Sequence, residues 1–136
     1  MREELKGPKV EGVSVALVEL PLDNNEKEYI VYLLSEREDI IEGIIVASTG
    51  YGEDPQTGEA IQTSTLRRGI ELLLPNEAAR IEPIMPELFD LSNEYWVSFW
   101  ADDVMYDKRF VFVAGSIQPD QFVWIEQLNA KGILLS

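Results

Sequence analysis

The feature that most constrains this chain is a two-residue rhythm of apolar side chains, carried in short runs that polar turns interrupt. Val13, Val15 and Leu17 share one parity, Tyr95, Val97 and Phe99 alternate with Trp96, Ser98 and Trp100, and Phe110 and Phe112 oppose Val111 and Val113. Period two describes a strand, because successive Cβ atoms point to opposite faces of a sheet; a helix needs a repeat near 3.6. Such runs recur at residues 10–22, 29–34, 40–49, 66–74, 95–101, 104–114 and 131–135. Many short strands and hardly any amphipathic helix predict an all-β fold. Strand length and spacing favour an antiparallel β-sandwich of immunoglobulin-like size, with a small closed β-barrel as the alternative. A chain of 136 residues, 46% of them hydrophobic, holds enough apolar material for one packed core. Residues 10–136 are therefore read as a single domain, and residues 1–9 as a flexible arm.

Several segments depart from simple alternation. Within residues 10–22 the apolar set moves from odd positions to Val18, Leu20 and Leu22, a shift that predicts a β-bulge. Residues 29–34 are apolar throughout, which predicts a strand buried on both faces or one whose second face meets another chain. Residues 50–61 hold three glycines and a proline, and read as a long irregular hairpin loop. Pro83 confines residues 79–85 to a sheet edge. Asp102-Asp103 reads as a tight turn, and Pro119-Asp120 as the start of a turn or short helix that runs to about Gln127.

Composition narrows the chemistry. The chain has no cysteine and no histidine. Disulfides, thiolate nucleophiles, iron–sulfur clusters, the usual zinc sites and every His-based triad are thereby excluded, and no cofactor is expected. The net charge of −14 disfavours nucleic-acid binding, which needs cations to displace phosphate counterions. No apolar run approaches the length of a membrane helix, and no secretory signal pattern is present. A cytoplasmic location without membrane contact is the expectation.

Few residue patterns carry chemistry. Ser48-Thr49-Gly50-Tyr51-Gly52 echoes a potassium-channel filter but lacks the flanking membrane helices; the plainer reading is a strand end whose glycines let Tyr51 meet a partner. Thr63-Ser64-Thr65-Leu66-Arg67-Arg68 is the one segment dense in hydroxyls and arginines, groups that suit a phosphate or carboxylate. On a strand, however, Arg67 and Arg68 point to opposite faces and cannot clamp one anion. Glu53, Asp54, Glu59, Asp102, Asp103 and Asp107 are candidates for a calcium site, set against the simpler reading of hydrated loop acids. Paired carboxylates hydrolyse glycosides only across a cleft, which a small sandwich scarcely offers, so no enzyme is expected. Tyr95, Trp96, Trp100, Tyr106 and Trp124 could supply an aromatic platform for a sugar. If the Trp96–Trp100 side is the core, then Tyr95, Val97 and Phe99 form an outward apolar stripe that calls for a partner.

The stretches at residues 29–35 and 64–67, Ile81-Glu82-Pro83-Ile84, and those at residues 93–99 and 106–112 resemble a family of small uncharacterised bacterial proteins of about this length. The resemblance spans nearly the whole chain. It implies a free-standing intracellular domain, and it carries no activity, ligand or catalytic residue with it. The sequence thus predicts a non-enzymatic protein-interaction or self-assembling domain, with Tyr51, Arg67, Arg68, Tyr95, Val97 and Phe99 as candidate surface residues. The expected partner is a protein or a second copy of the chain. The alternative is a carbohydrate or small-ligand module built on surface aromatics.

Overall fold

A computed structural model describes residues 9–136. Of the arm expected at residues 1–9, all but Lys9 lie outside the described residues. The strands follow in chain order: β1 (Val13–Pro21), β2 (Lys27–Ser35), β3 (Ile41–Glu53), β4 (Ala60–Gln62), β5 (Leu66–Leu73), β6 (Ala78–Pro83), β7 (Ser92–Ala101), β8 (Val104–Phe112), β9 (Val123–Ile125) and β10 (Ala130–Leu135). One antiparallel sheet runs β6-β2-β1-β10-β9. The other runs β4-β3-β7-β8, with β5 also paired to β3. Neither closes on itself, so the fold is an all-β sandwich rather than a barrel. Among the described residues the only helical pieces are short 3₁₀ turns, and no helix is long and apolar enough to cross a membrane.

The main core lies between the sheets. Val13, Val15 and Leu17 of β1 and Val31 and Leu33 of β2 face Ile44, Val46, Tyr95, Val97, Phe99, Phe110 and Phe112. A second cluster occupies the opposite face of the first sheet. It joins Ala16, Val18, Ile30 and Leu34 to Ile125 and Ala130, with Leu20, Tyr32 and Leu128 against it. Strands β1 and β2 are therefore apolar on both faces because both faces are buried. This corrects the expected bulge in the first strand: β1 keeps an unbroken register with both β2 and β10. Its apolar set changes parity because Val18 and Leu20 enter the second cluster. The segment that closes this cluster is not the single turn or short helix expected from Pro119 to about Gln127: two 3₁₀ turns, Pro119–Gln121 and Glu126–Leu128, flank strand β9, which pairs with β10.

The glycine-rich stretch is also more regular than its composition suggests. Strand β3 continues through Gly50 and Gly52 to Glu53 and pairs with β4, leaving only residues 54–59 irregular. A Cβ on Gly52 would lie 2.8 Å from Leu91 Cδ2, so the residue is glycine because a neighbour approaches closely, not because the chain turns there. Asp102 and Asp103 do form a two-residue hairpin turn, both with positive φ, as the right-handed twist of the flanking strands demands.

At one end of the sandwich Arg37 ties the two sheets together. Its Nε and Nη2 donate to the two carboxylate oxygens of Asp39 at 2.7 and 2.9 Å, and Nη1 donates to the Glu11 carbonyl at 3.0 Å. The guanidinium also lies over Tyr106 and Phe99 of the other sheet, 5.1 and 5.7 Å from the ring centroids. The hydrogen bonds from Arg37 hold the Asp39 carboxyl below its ordinary pKa.

Strand β10 comes very close to β1, where Val18 opposes Gly132. A Cβ at Gly132 would overlap the Leu17 carbonyl, which is backbone and cannot swing aside. Gly132→Ala is expected to cost about 3 kcal/mol or more, measured as a lowered urea midpoint; unchanged stability would contradict the close approach.

Candidate functional site

Two regions combine side chains that the rest of the surface lacks. The first is the outer face of the β5-β3-β7-β8 sheet. Cross-strand pairing sets its rows: Leu72–Glu42–Trp100–Met105, then Gly69–Ile45–Ser98–Asp107, then Arg67–Ala47–Trp96–Arg109, with Glu94 beside Thr49 and Val111. Gly43 (φ +57) produces the offset at one end of these rows. A bulge between Glu42 and Ile45 sends Ile41 and Ile44 inward while Glu42 and Ile45 face out, and Trp100 lies against Gly43. Leu72, Ile45, Trp96, Trp100 and Met105 are each 43–51% exposed, so one face carries five half-exposed large apolar side chains. Arg109 crosses this face, paired through Nε with Glu94 and donating from Nη2 to the Tyr51 hydroxyl at 2.9 Å.

The second region lies inside the edge of the sandwich, between β5 and β6. Opposite Val31 of β2, strand β6 shifts register, so Glu82 pairs with Val31 while Arg80 already pairs with Tyr32. The extra residue lets both Ile81 and Glu82 turn toward the other sheet, the way a bulge re-aims a side chain. Ile81 joins the core, and the Glu82 carboxylate spans the layers. It accepts from Ser48 Oγ at 2.6 Å and from the Tyr95 hydroxyl at 3.4 Å, and Ser48 and Tyr95 are themselves neighbours on β3 and β7. These groups border a cavity of ≈ 280 Å³, with Leu66, Ile84 and Leu88 among its walls and Thr63 and Ser64 on its rim. Asn93 Nδ2 donates to the Leu88 and Leu91 carbonyls, which fixes the turn Pro86–Asp90 over one side. An adjoining cavity of ≈ 250 Å³ shares Ser48, Leu66 and Glu82 and extends to Arg67 and Arg68.

The candidate residues divide between these regions and the core. Tyr95, Val97 and Phe99 do not form the outward stripe: they are 1%, 0% and 1% exposed and pack in the main core. The tryptophans are the outward side of β7, because a bulky ring next to arginines and carboxylates tolerates water at its edge better than Val97 or Phe99 would. Tyr51 and Arg67 lie on the outer face, and Arg68 stands opposite the buried Val46 on the other side of β5. The two arginines thus diverge. Of the five aromatics considered as a platform, only Trp96 and Trp100 share an exposed face. Tyr95 is buried, Tyr106 stacks on Phe99 with centroids 5.3 Å apart, and Trp124 belongs to β9 in the other sheet. Among the described residues no three acids gather as a metal-ligating group. Asp54 instead accepts from the Gln56 and Thr57 amides within its own turn.

Glu82 and Arg109 are the residues that sequence patterning passes over. The available signal for Glu82 was an acid inside an otherwise apolar edge strand, Ile81-Glu82-Pro83-Ile84. Comparison with known proteins returns no matching family model, no matching curated protein and no matching solved structure.

Burial, followed by the nearby Glu82 charge, raises the Tyr95 pKa well above the ordinary tyrosine value of 10.0. The phenol therefore stays protonated and keeps donating to Glu82. A raised native pKa means that above about pH 10 the unfolded chain releases a proton the native chain retains, so stability falls with rising pH. Urea midpoints between about pH 8 and about pH 11 should drop less for Tyr95→Phe than for the wild type. An equal drop in both would remove Tyr95 as a cause.

Proposed function

We propose that this protein is a non-enzymatic interaction domain that self-associates through the outer face of the β5-β3-β7-β8 sheet. The observation that carries the reading is the cluster of Trp96, Trp100, Ile45, Leu72 and Met105 around Arg67, Arg109 and Tyr51. Tryptophan, tyrosine, methionine and arginine are the residues that concentrate in the centres of protein interfaces. Apart from Arg67, Thr49 and Glu94, which also border the cavities described above, the residues of this face form an open sheet surface, which suits a broad partner better than a small ligand.

Charge argues for a second copy as the partner. The chain carries a net −14, yet this face sets Arg67 and Arg109 against only Glu42, Glu94 and Asp107. Like-charge repulsion between copies is least where the two near-neutral faces meet. Area points the same way. Four strands ~4.8 Å apart, with ~10 residues at ~3.3 Å each, give a face of roughly 600 Å² before side-chain relief is counted. A standard interface takes about 800 Å² of accessible surface per partner. The reading includes a cytoplasmic setting, which rests on the sequence expectation alone.

Sedimentation and light scattering test the proposal. A dimer is expected at high micromolar concentration, and moderate salt should strengthen it by screening the −14 on each copy. Ile45→Glu and Trp96→Glu should each give a folded monomer. A wild-type chain that remains monomeric at moderate salt, or a dimer that both variants leave intact, would overturn it.

A carbohydrate-binding reading retains one favourable observation. Trp96 and Trp100 project from the same side of β7, four residues and hence ~13 Å apart, with Arg109 and Glu94 able to hydrogen-bond sugar hydroxyls. A tryptophan fluorescence titration against a glycan panel decides this reading: a saturable response abolished by Trp100→Ala supports it, and a flat response rejects it.

A further inference from the structure

We propose that the cavity between the β5 and β6 edges binds a small molecule carrying a primary ammonium on an apolar body. The inference is separate from self-association, which uses the outer side of that sheet and meets the cavity only at Thr49 and Glu94 on its border.

Glu82 is the reason. Its carboxylate is turned inward by the register shift on β6, and its two partners within hydrogen-bonding distance are hydroxyls, those of Ser48 and Tyr95. Glu82 itself is half-buried, and the two hydroxyls it meets belong to residues only 7% and 1% exposed, so the carboxylate is directed inward from the cavity mouth. Among the described residues no lysine or arginine comes within ion-pair distance of it. A half-buried carboxylate held by two hydroxyls and no cation keeps room for a positively charged group to complete it. Ionised, it has about four acceptor positions, of which the two hydroxyls use two. An ammonium group is compact, has three donors, and would form charge-assisted hydrogen bonds to the positions left over.

The walls specify the rest of the ligand. Leu66, Ile84 and Leu88 line the ≈ 280 Å³ cavity, while Thr63 and Ser64 stand at its rim. Such a space accepts an apolar chain or ring with one polar end, and the Glu82 carboxylate beside Ser48 and Tyr95 sets the orientation. An anionic ligand of the same shape would bring its charge against Glu82 and be rejected. A neutral alcohol would fill the space but leave the carboxylate unneutralised.

Nuclear magnetic resonance titration with n-hexylammonium chloride, matched against hexanol and hexanoate, tests this directly. Hexylammonium should give saturable shifts at the methyls of Ile84 and Leu88. Hexanol should bind more weakly and hexanoate not measurably. Glu82→Gln keeps the side-chain shape and should weaken hexylammonium by about tenfold or more, the share of one charge-assisted contact. Ser64→Trp, at an exposed rim position, should block the shifts while leaving the core methyl spectrum native. The proposal fails if hexylammonium gives no saturable shift, or if hexanol matches it. It fails equally if Glu82→Gln or Ser64→Trp, folded, binds as the wild type does, or if the shifts centre on the Trp96 and Trp100 indoles.

Discussion

Burial of both faces of β1 and β2 is the constraint from which the rest of this architecture follows. A strand that is apolar at every position cannot sit in a two-layer sandwich with one side in water. Ile30, Val31, Leu33 and Leu34 must all be covered, at roughly 1.5–3 kcal/mol per side chain in transfer terms. The inter-sheet core takes one set. The other needs a cover, and the 3₁₀ turns and β9 supply Ile125 and Leu128 for it. The chain end is then obliged to return along β1, and glycine at position 132 is what permits backbone to approach backbone there. Strands β1 and β2 of the first sheet spend their apolar material mostly on internal contacts, although Val123, Trp124 and Leu134 stay exposed on β9 and β10, and the second sheet has an outer face that keeps five large apolar groups in the open.

Facing on β7 turns this asymmetry into a surface. Alternation alone places Tyr95, Val97 and Phe99 opposite Trp96 and Trp100 but is symmetric as to which set goes inside. The choice follows from what each set meets. Tyr95 finds an edge-on contact with Phe112 and an acceptor in Glu82, and Phe99 stacks on Tyr106 beneath Arg37. Trp96 finds Arg109 directly across the ladder, and Trp100 finds the open space above Gly43. The proposed interaction through the sheet face and the proposed ligand capture in the cavity thus depend on opposite sides of a single strand.

The cavity rests on a local irregularity. A regular pairing of β6 with β2 would not hold Ile81 and Glu82 on the same side. The shift opposite Val31 lets hydrophobic packing at Ile81 carry an adjacent carboxylate into the interior. Ser48 answers it from the other sheet. A charged group is held where an apolar one would pack more simply, which is the kind of exception that marks sites rather than scaffolds.

Most of the scaffold was legible along the chain: the strands other than β4 and β9, their antiparallel pairing, the edge position forced by Pro83, the Asp102-Asp103 hairpin and the double burial of residues 29–34 all follow from local periodicity and turn chemistry. The cause of the parity shift at Val18 was not, because a bulge and a second covered face leave the same pattern in the residues. The extended course of β3 through Gly50 and Gly52 was hidden for a similar reason, since glycine marks a turn and a close approach alike. Neither the convergence of Glu82, Ser48 and Tyr95 nor the outward side of β7 could be read in advance. The first joins residues 34 and 13 positions from Glu82, and the second depends on which partner each face meets. By itself the sequence determined where the long strands run, because that depends on neighbours two positions away. Tertiary structure alone decided which side of each strand is core, because that depends on what the other sheet presents.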